Sequence, residues 1–510
     1  MNQIKVGAFL SYLIIGLNNI IGLLYTPFML RMMGQTEYGL YSLVVSVVAY
    51  LTVFDLGFGN AIVRYTAKMR AENNKEKQYE MFGIFLLLYS FIGFITFCIG
   101  FIITGHVNTL FKVTMSVEEM DKVRIMLMLM ICNLAFTFPM SIFGSIITAY
   151  ENFVFQKLVN LVRIILNPVV MIIMLLIGYR AIGMVVVVTI FNVLTLLMNA
   201  WFCFYKLKIK IRLRKSSFDW PFLKEISIYS FWIFLNAIID RIYWDSGQFI
   251  LGMFTGVSVI AVYAVALQLV NIYKGFSTAI SGLFLPRVTA MVTNNEGNDK
   301  ISELFIRIGR IQYIILAFIL SGFIVFGRVF IRFWAGPDYA QSYYIALLLF
   351  IPLLIPLIQN IGITVLQAKN KMKFRSILYL VVSICSLGIS VPLAKLYGGI
   401  GCALGTAFAL VIGQIIIMNI YYHKRVGLDM IAFWKEIGKM SVIPIVLSLL
   451  GCLLLYYVQL DSWGMFVLIV FVFSVVYIFL FWFKGMNQYE RDLFMKPIQK
   501  MQKKIYNCLL

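Results

Sequence analysis

Apolar residues in this chain come in long runs, each around twenty residues or more, separated by short polar gaps. Taken in order, the runs predict fourteen membrane-spanning helices, at residues 7–30, 39–64, 81–104, 125–149, 157–178, 181–205, 226–252, 257–286, 306–328, 341–367, 376–395, 398–422, 440–459 and 463–483. A helix of about twenty residues crosses roughly 30 Å of hydrocarbon. Backbone groups in lipid must bond within their own segment, so runs of this length have to be helical. The short alternating strands of a transmembrane barrel are missing. The opening run, Val6 to Leu30, is longer than a signal-peptide core and has no small-x-small cleavage site, so it reads as a retained first span. The expected fold class is therefore all-α integral membrane.

The charges fix an orientation. Only 13% of the 510 residues are charged and 62% are hydrophobic, against about 25% charged in a soluble domain. A net charge of +21 would suggest nucleic acid in a soluble protein. Here Lys and Arg crowd into alternate gaps, which is topology control, and no nucleic-acid partner is expected. With the N-terminus inside, about 32 of the 43 Lys and Arg fall on the cytoplasmic side and about 8 outside. The gap Lys206 to Lys215 is the most basic, and both termini are placed in the cytoplasm. Trp201, Trp220, Trp334, Trp434, Trp463 and Trp482 sit at span ends as interface anchors, while Trp232 and Trp244 sit inside the seventh span. The seven Cys form no C-x-x-C pair and the two His are far apart, so neither a disulfide framework nor a metal site is expected. No gap exceeds about thirty residues, which leaves no room for a soluble catalytic domain. The basic tail is expected to lie on anionic lipid of the inner leaflet.

An internal repeat divides the chain. Gly34-x-x-x-Tyr38-Gly39-x-Tyr41 matches Gly256-x6-Tyr263 at a spacing of 222 residues, and the same spacing sets Asn73 on Asn295. Each half holds an even number of spans, so the repeat is parallel, with a site expected between the halves. The domains read as an N-lobe at 1–215 (helices 1–6), a C-lobe at 216–430 (helices 7–12), two extra helices at 431–484 and a basic cytoplasmic tail at 485–510.

The stretch GQTEYGLYSLVVSVVAYLTVFDLGFGNAIVRYTAK, Gly34 to Lys68, closely resembles the polysaccharide biosynthesis branch of the multidrug/oligosaccharidyl-lipid/polysaccharide exporter superfamily, which includes O-antigen and capsule repeat-unit flippases. The resemblance rests on the G-x-x-x-Y-G-x-Y block, the D-L-G-x-G-x block at Asp55 to Asn60 and the R-Y-x-A close at Arg64 to Ala67. The segments Ile147 to Pro168 and Ile363 to Leu378 are similar to that branch too. It implies two six-helix lobes in a V around a central cavity, plus two C-terminal helices, with the first, second, seventh and eighth helices lining much of the cavity. It also implies export of an undecaprenyl-diphosphate-linked oligosaccharide across a bacterial cytoplasmic membrane by alternating access. A polysaccharide polymerase and chain-length proteins are candidate partners, and the monomer is the expected functional unit.

Polar residues inside the spans are the candidate site, because a charge facing lipid costs several kcal/mol. In the seventh span Arg241, Asp245 and Gln248 fall within about 60° of one another at 100° per residue, with Asn236 and Asp240 on an adjacent face. Two readings stand: an internal Arg241–Asp245 pair, or a cavity wall where Arg241 grips phosphate and Trp244 offers a face to a sugar. In the eighth span Asn271 and Lys274 share a face with Thr278 and Ser281, and Lys274 either binds an anion or pairs with Asp240 or Asp245. Asn18 and Asn19 in the first span point to a cavity or to hydrogen bonds between helices. Asp55 or Asp240 could bind a proton or coupling cation, and Asp55 could equally be structural at its D-L-G bend. Arg64 and Lys68 are topology signals or a cytoplasmic funnel for an anionic headgroup. No cofactor is expected; coupling to a proton, to sodium or to the membrane potential is left open. A cation-coupled multidrug exporter of the same fold is the alternative function, and a membrane-embedded glycosyltransferase, polymerase or ligase comes third.

Overall fold

The computed structural model describes residues 3–213, 231, 234–294, 296–369, 371–458, 460–493 and 495. Asn295, Trp220 and Trp232, Arg214 and Lys215, and most of the basic tail lie outside the described residues. The described chain is helical, with no strand among its elements. Eleven of its helical stretches are long and apolar enough to cross a membrane. Two of these, Leu13–Ala71 and Met372–Val426, each contain two crossings. Gly34 (φ 76°) divides the first and Gly398 (φ 57°) the second. In the described part of the seventh run, residues 234–244 are helical and Ser246–Phe254 continues them. Among the described residues, helix thus falls on each of the fourteen apolar runs.

Polar residues at the gap edges start several of these helices. Asn74 Oδ1 accepts from the Lys77 amide at 3.1 Å ahead of Lys75–Gly105. Ser116 and Glu119 form a reciprocal capping box ahead of Val117–Ala149. Asp429 accepts from the amides of Ile431 and Ala432 ahead of Met430–Tyr457. Each satisfies amides that a helix start leaves without a partner. Along the last two spans Leu449, Leu450, Leu453, Leu468, Phe471 and Phe479 are each more than half exposed, a surface suited to lipid.

The helices pack as two compact units, Met1–Leu267 with Tyr379–Thr406, and Gln268–Leu378 with Ala407–Leu510. In the first unit, Leu40, Leu43, Phe82, Phe85 and Tyr89 are fully buried. A Cβ on Gly39 would lie 2.2 Å from the Val257 carbonyl oxygen, so the second span and the start of the eighth meet backbone to backbone. Glu37, in the same block, is buried and serves two groups: Lys122 Nζ at 2.8 Å and the Ala181 amide at 3.2 Å. A carboxylate at the first amide of Ala181–Tyr205 complements that helix's positive end.

In the second unit Arg310, 7% exposed, makes a two-pronged pair with the fully buried Glu490 (2.6 and 3.0 Å) and reaches Glu436 at 2.6 Å and the Gly485 carbonyl at 3.0 Å. The segment after the last span is thus tied to protein at Glu490. Trp334 departs from expectation. It is 5% exposed and stacked on Phe330, buried in the second unit where an interface anchor was predicted. Trp201 and Trp463 are exposed at their span ends.

The repeat is visible in the backbone. Gly34 (φ 76°) and Gly256 (φ 109°) both hold left-handed conformations 222 residues apart, which explains glycine at the head of both motif copies.

Candidate functional site in the first unit

The second span is not one continuous helix. After Leu51 the chain tightens into a 3₁₀ turn over Thr52–Asp55, passes through left-handed Leu56 (φ 52°) and Gly57 (φ 68°), and restarts as Phe58–Ala71. The D-L-G block is therefore a mid-span break. Leucine pays a steric cost for its positive φ that glycine does not. In the seventh span Asp245 makes only a local irregularity between residues 234–244 and Ser246–Phe254: its backbone stays in the helical region and its amide bonds the Arg241 carbonyl at 2.9 Å. Irregular backbone at this depth must be buried in protein or face a water-filled space.

Arg241 joins the seventh span to the break in the second. Its Nη1 pairs with Asp245 Oδ2 at 3.0 Å and its Nη2 donates to Thr52 Oγ1 at 3.1 Å. The internal pair that the sequence offered as one reading is formed, and the guanidinium still has 39% of its side chain exposed. These bonds use two of the five N–H donors an arginine carries. Trp244 is half-buried beside Tyr243, the ring centroids 6.4 Å apart, and Gln248 is half-buried one helical turn on. Asp240 is exposed.

A second constellation surrounds Asp55. Tyr89 Oη donates to Asp55 Oδ1 at 3.0 Å, and the carboxylate also accepts from the Gly57 backbone. It opens on a cavity of about 330 Å³ lined by Asn60, Ser141, Ser145, Thr148 and Gln156. Thr148 Oγ1 donates to Gln156 Oε1 at 2.9 Å. A carboxylate among hydroxyl and amide oxygens suits a proton or a hard cation. Sequence reasoning singled out Asp55 but missed its surroundings. The signal was present: Asn133, Thr137, Ser141, Ser145 and Thr148 recur every three or four residues through an apolar helix, a polar stripe along one face. Asn192 closes its upper part, donating to Asn133 Oδ1 at 2.9 Å and Thr137 Oγ1 at 2.7 Å.

The other predicted residues are placed as follows. Asn18 is exposed and Asn19 half-buried in the first helix. Arg64 and Lys68 are exposed on Phe58–Ala71, with Arg64 5.6 Å from the Tyr65 ring. Lys274 belongs to the second unit, where its Nζ lies 3.5 Å from Asn271 Oδ1. No group of three or more His, Cys, Asp and Glu is arranged to hold a metal ion among the described residues.

A family model described as "Polysaccharide biosynthesis protein" matches residues 4–292, more than half of the chain. The chain belongs to this family. Among curated proteins of similar sequence, a Shigella flexneri protein named "Putative O-antigen transporter" is 22% identical over 400 residues, covering 77% of this chain and 92% of that one. Among solved structures, the lipid II flippase MurJ in an inward closed conformation superposes with a TM-score of 0.70 at 15% identity, over 97% of this chain and 99% of that chain. An inward-facing multidrug resistance MATE family transporter of the MOP superfamily superposes with a TM-score of 0.61 at 15% identity, over 81% and 99%. This member of the polysaccharide biosynthesis family therefore has the fold of MOP superfamily transporters and is a multi-pass membrane protein.

Proposed function

We propose that this protein moves an undecaprenyl-diphosphate-linked oligosaccharide from the inner to the outer leaflet of a bacterial cytoplasmic membrane by alternating access, for surface polysaccharide synthesis. Both termini lie in the cytoplasm on this reading, and the flipped unit passes to a polymerase and chain-length proteins. The observation that carries the proposal is Arg241, a half-exposed guanidinium that ties the seventh span to the broken second span, with donors to spare for a phosphate. Discontinuous spans supply the substrate and ion sites of many transporters. Membership of a polysaccharide biosynthesis family supports a sugar-bearing substrate among the anions such a site suits. Asp240, Asp245, Trp244, Gln248, Asn18, Asn19, Asn271 and Lys274 are the further candidates for the substrate surface, with Arg64 and Lys68 on the cytoplasmic approach. The Asp55 cavity is the site we assign to a coupling proton or cation.

The test is flipping of a labelled lipid-linked oligosaccharide by the purified protein in liposomes. Arg241→Lys keeps the charge and the partner Asp245 but removes the planar fork, and should cut flipping about tenfold or more at unchanged protein level, as expected on losing a charge-assisted hydrogen bond. Wild-type flipping by both Arg241→Ala and Lys274→Ala would overturn the proposal.

A further inference from the structure

A groove of about 820 Å³ in the second unit is lined at one end by Lys371, Lys424 and Arg425 and at the other by Ile417, Ile420 and the aromatic pair Phe374–Tyr421. The two rings stack with centroids 4.1 Å apart and planes 14° apart. Lys424 and Arg425 project from a widened, π-helical turn, Tyr422–Val426, which ends at left-handed Gly427; such turns recur at functional sites. Lys371 is fastened to that turn by a 2.6 Å bond to the Arg425 carbonyl. Neighbouring Lys369 bonds the Val426 carbonyl and Asn298 Oδ1. Its ammonium is held below the usual lysine range, first by burial and then by the charge of Lys371. Among the described residues no carboxylate forms an ion pair with Lys369, Lys371, Lys424 or Arg425. Four cations thus cluster without an anion, beside exposed Phe374 and Ile420.

We propose that this groove binds the phosphate headgroup of a resident anionic phospholipid, with its acyl chains along Ile417, Ile420 and Phe374. The gaps carrying Lys371 and Lys424 are those that the charge pattern assigns to the cytoplasmic face, where anionic lipid attracts basic residues. A free phosphate has no use for the apolar half of the groove. A lipid-linked oligosaccharide presents hydroxyls that need both donors and acceptors, and the lining side chains contain no amide or carboxylate. An anionic headgroup on a diacyl tail matches both halves.

The experiment uses the full-length protein in detergent, with native mass spectrometry of retained lipid. Phosphatidylglycerol should remain bound in preference to phosphatidylcholine. Lys424→Gln with Arg425→Gln should weaken retention by about thirtyfold, the factor for two surface cations at roughly 1 kcal/mol each. Equal retention of the two lipids, or no change in the double variant, overturns the proposal. So does displacement by millimolar inorganic phosphate, which would mark a simple anion site, or by equimolar undecaprenyl phosphate, which would mark a substrate site. Should the double variant fail to fold, the wild type still decides: a photoactivatable phosphatidylglycerol should label the peptide containing residues 417–425, and labelling only elsewhere refutes the site.

Discussion

Arg310 and Arg241 are both arginines within spans, yet their surroundings give them opposite work. Arg310 is 7% exposed, and its donors go to Glu490, Glu436 and the Gly485 carbonyl. A buried pair of this kind is neutral or even costly against well-packed apolar residues, but removing one partner strands the other's charge. Arg310→Ala should therefore cost about 3–5 kcal/mol, read as a lowered midpoint of thermal unfolding in detergent. Arg310→Met combined with Glu490→Met should recover most of that loss; a double variant as unstable as the single would refute the account. Arg241 has one carboxylate and one hydroxyl and keeps much of its surface open. Asp55 is a third case, a carboxylate bonded to Tyr89 and the Gly57 backbone yet facing a cavity. Asp55→Asn keeps the size and an acceptor for Tyr89 while removing the charge. We expect it to leave folded protein in the membrane, and to abolish any stimulation of flipping by a proton or sodium gradient. Stimulation that survives in the variant would assign Asp55 to structure alone.

At the scale of elements, the crossings were legible because a run of about twenty apolar residues has few alternatives once water is excluded. The turns between them were legible where glycine had to stand, as at Gly34 and Gly256. The break in the second span was only half legible. Asp55-Leu56-Gly57 showed a bend, but not that Thr52–Asp55 would tighten and Leu56 take a positive φ, since leucine gives no such warning. Long-range partners stayed hidden: Arg310 and Glu490 are 180 residues apart, and Thr52 and Arg241 are 189 apart. The stripe from Asn133 to Thr148 was readable by its period, yet each residue is individually ordinary in a membrane helix. Close packing between elements was hidden as well. Gly39 stands in a recognisable block, but only the structure shows the Val257 carbonyl lying where a side chain would go. Gly39→Val should accordingly disrupt packing within the first unit. The expected readout is a lower yield of monodisperse protein and a lower unfolding midpoint. Gly16→Ala, with open space around its Cα, should change neither. Equal behaviour of the two variants would remove close approach as the reason for glycine at position 39.

For the whole molecule the question is what drives net outward flux. The proposed transport draws on the membrane potential, acting on the charge of the headgroup. A diphosphate headgroup carries roughly two negative charges, and an inside-negative potential is worth about 2.3 kcal/mol per charge per 100 mV. Moving that headgroup outward is then favoured by about 4–5 kcal/mol at 100 mV, enough to bias flux by more than a thousandfold. The empty carrier must return. Arg241 is paired with Asp245 and brings no net charge to the returning carrier, and over a closed cycle the carrier's own charges cancel, so the potential acts on the charge of the headgroup. A cation bound at Asp55 would change that balance by one charge. Flipping in proteoliposomes should therefore rise when potassium and valinomycin impose a potential negative on the side where substrate is loaded, and fall when the potential is reversed. It should need no nucleotide. Indifference to the sign of the potential and to proton and sodium gradients would count against this mechanism, as would an absolute requirement for ATP.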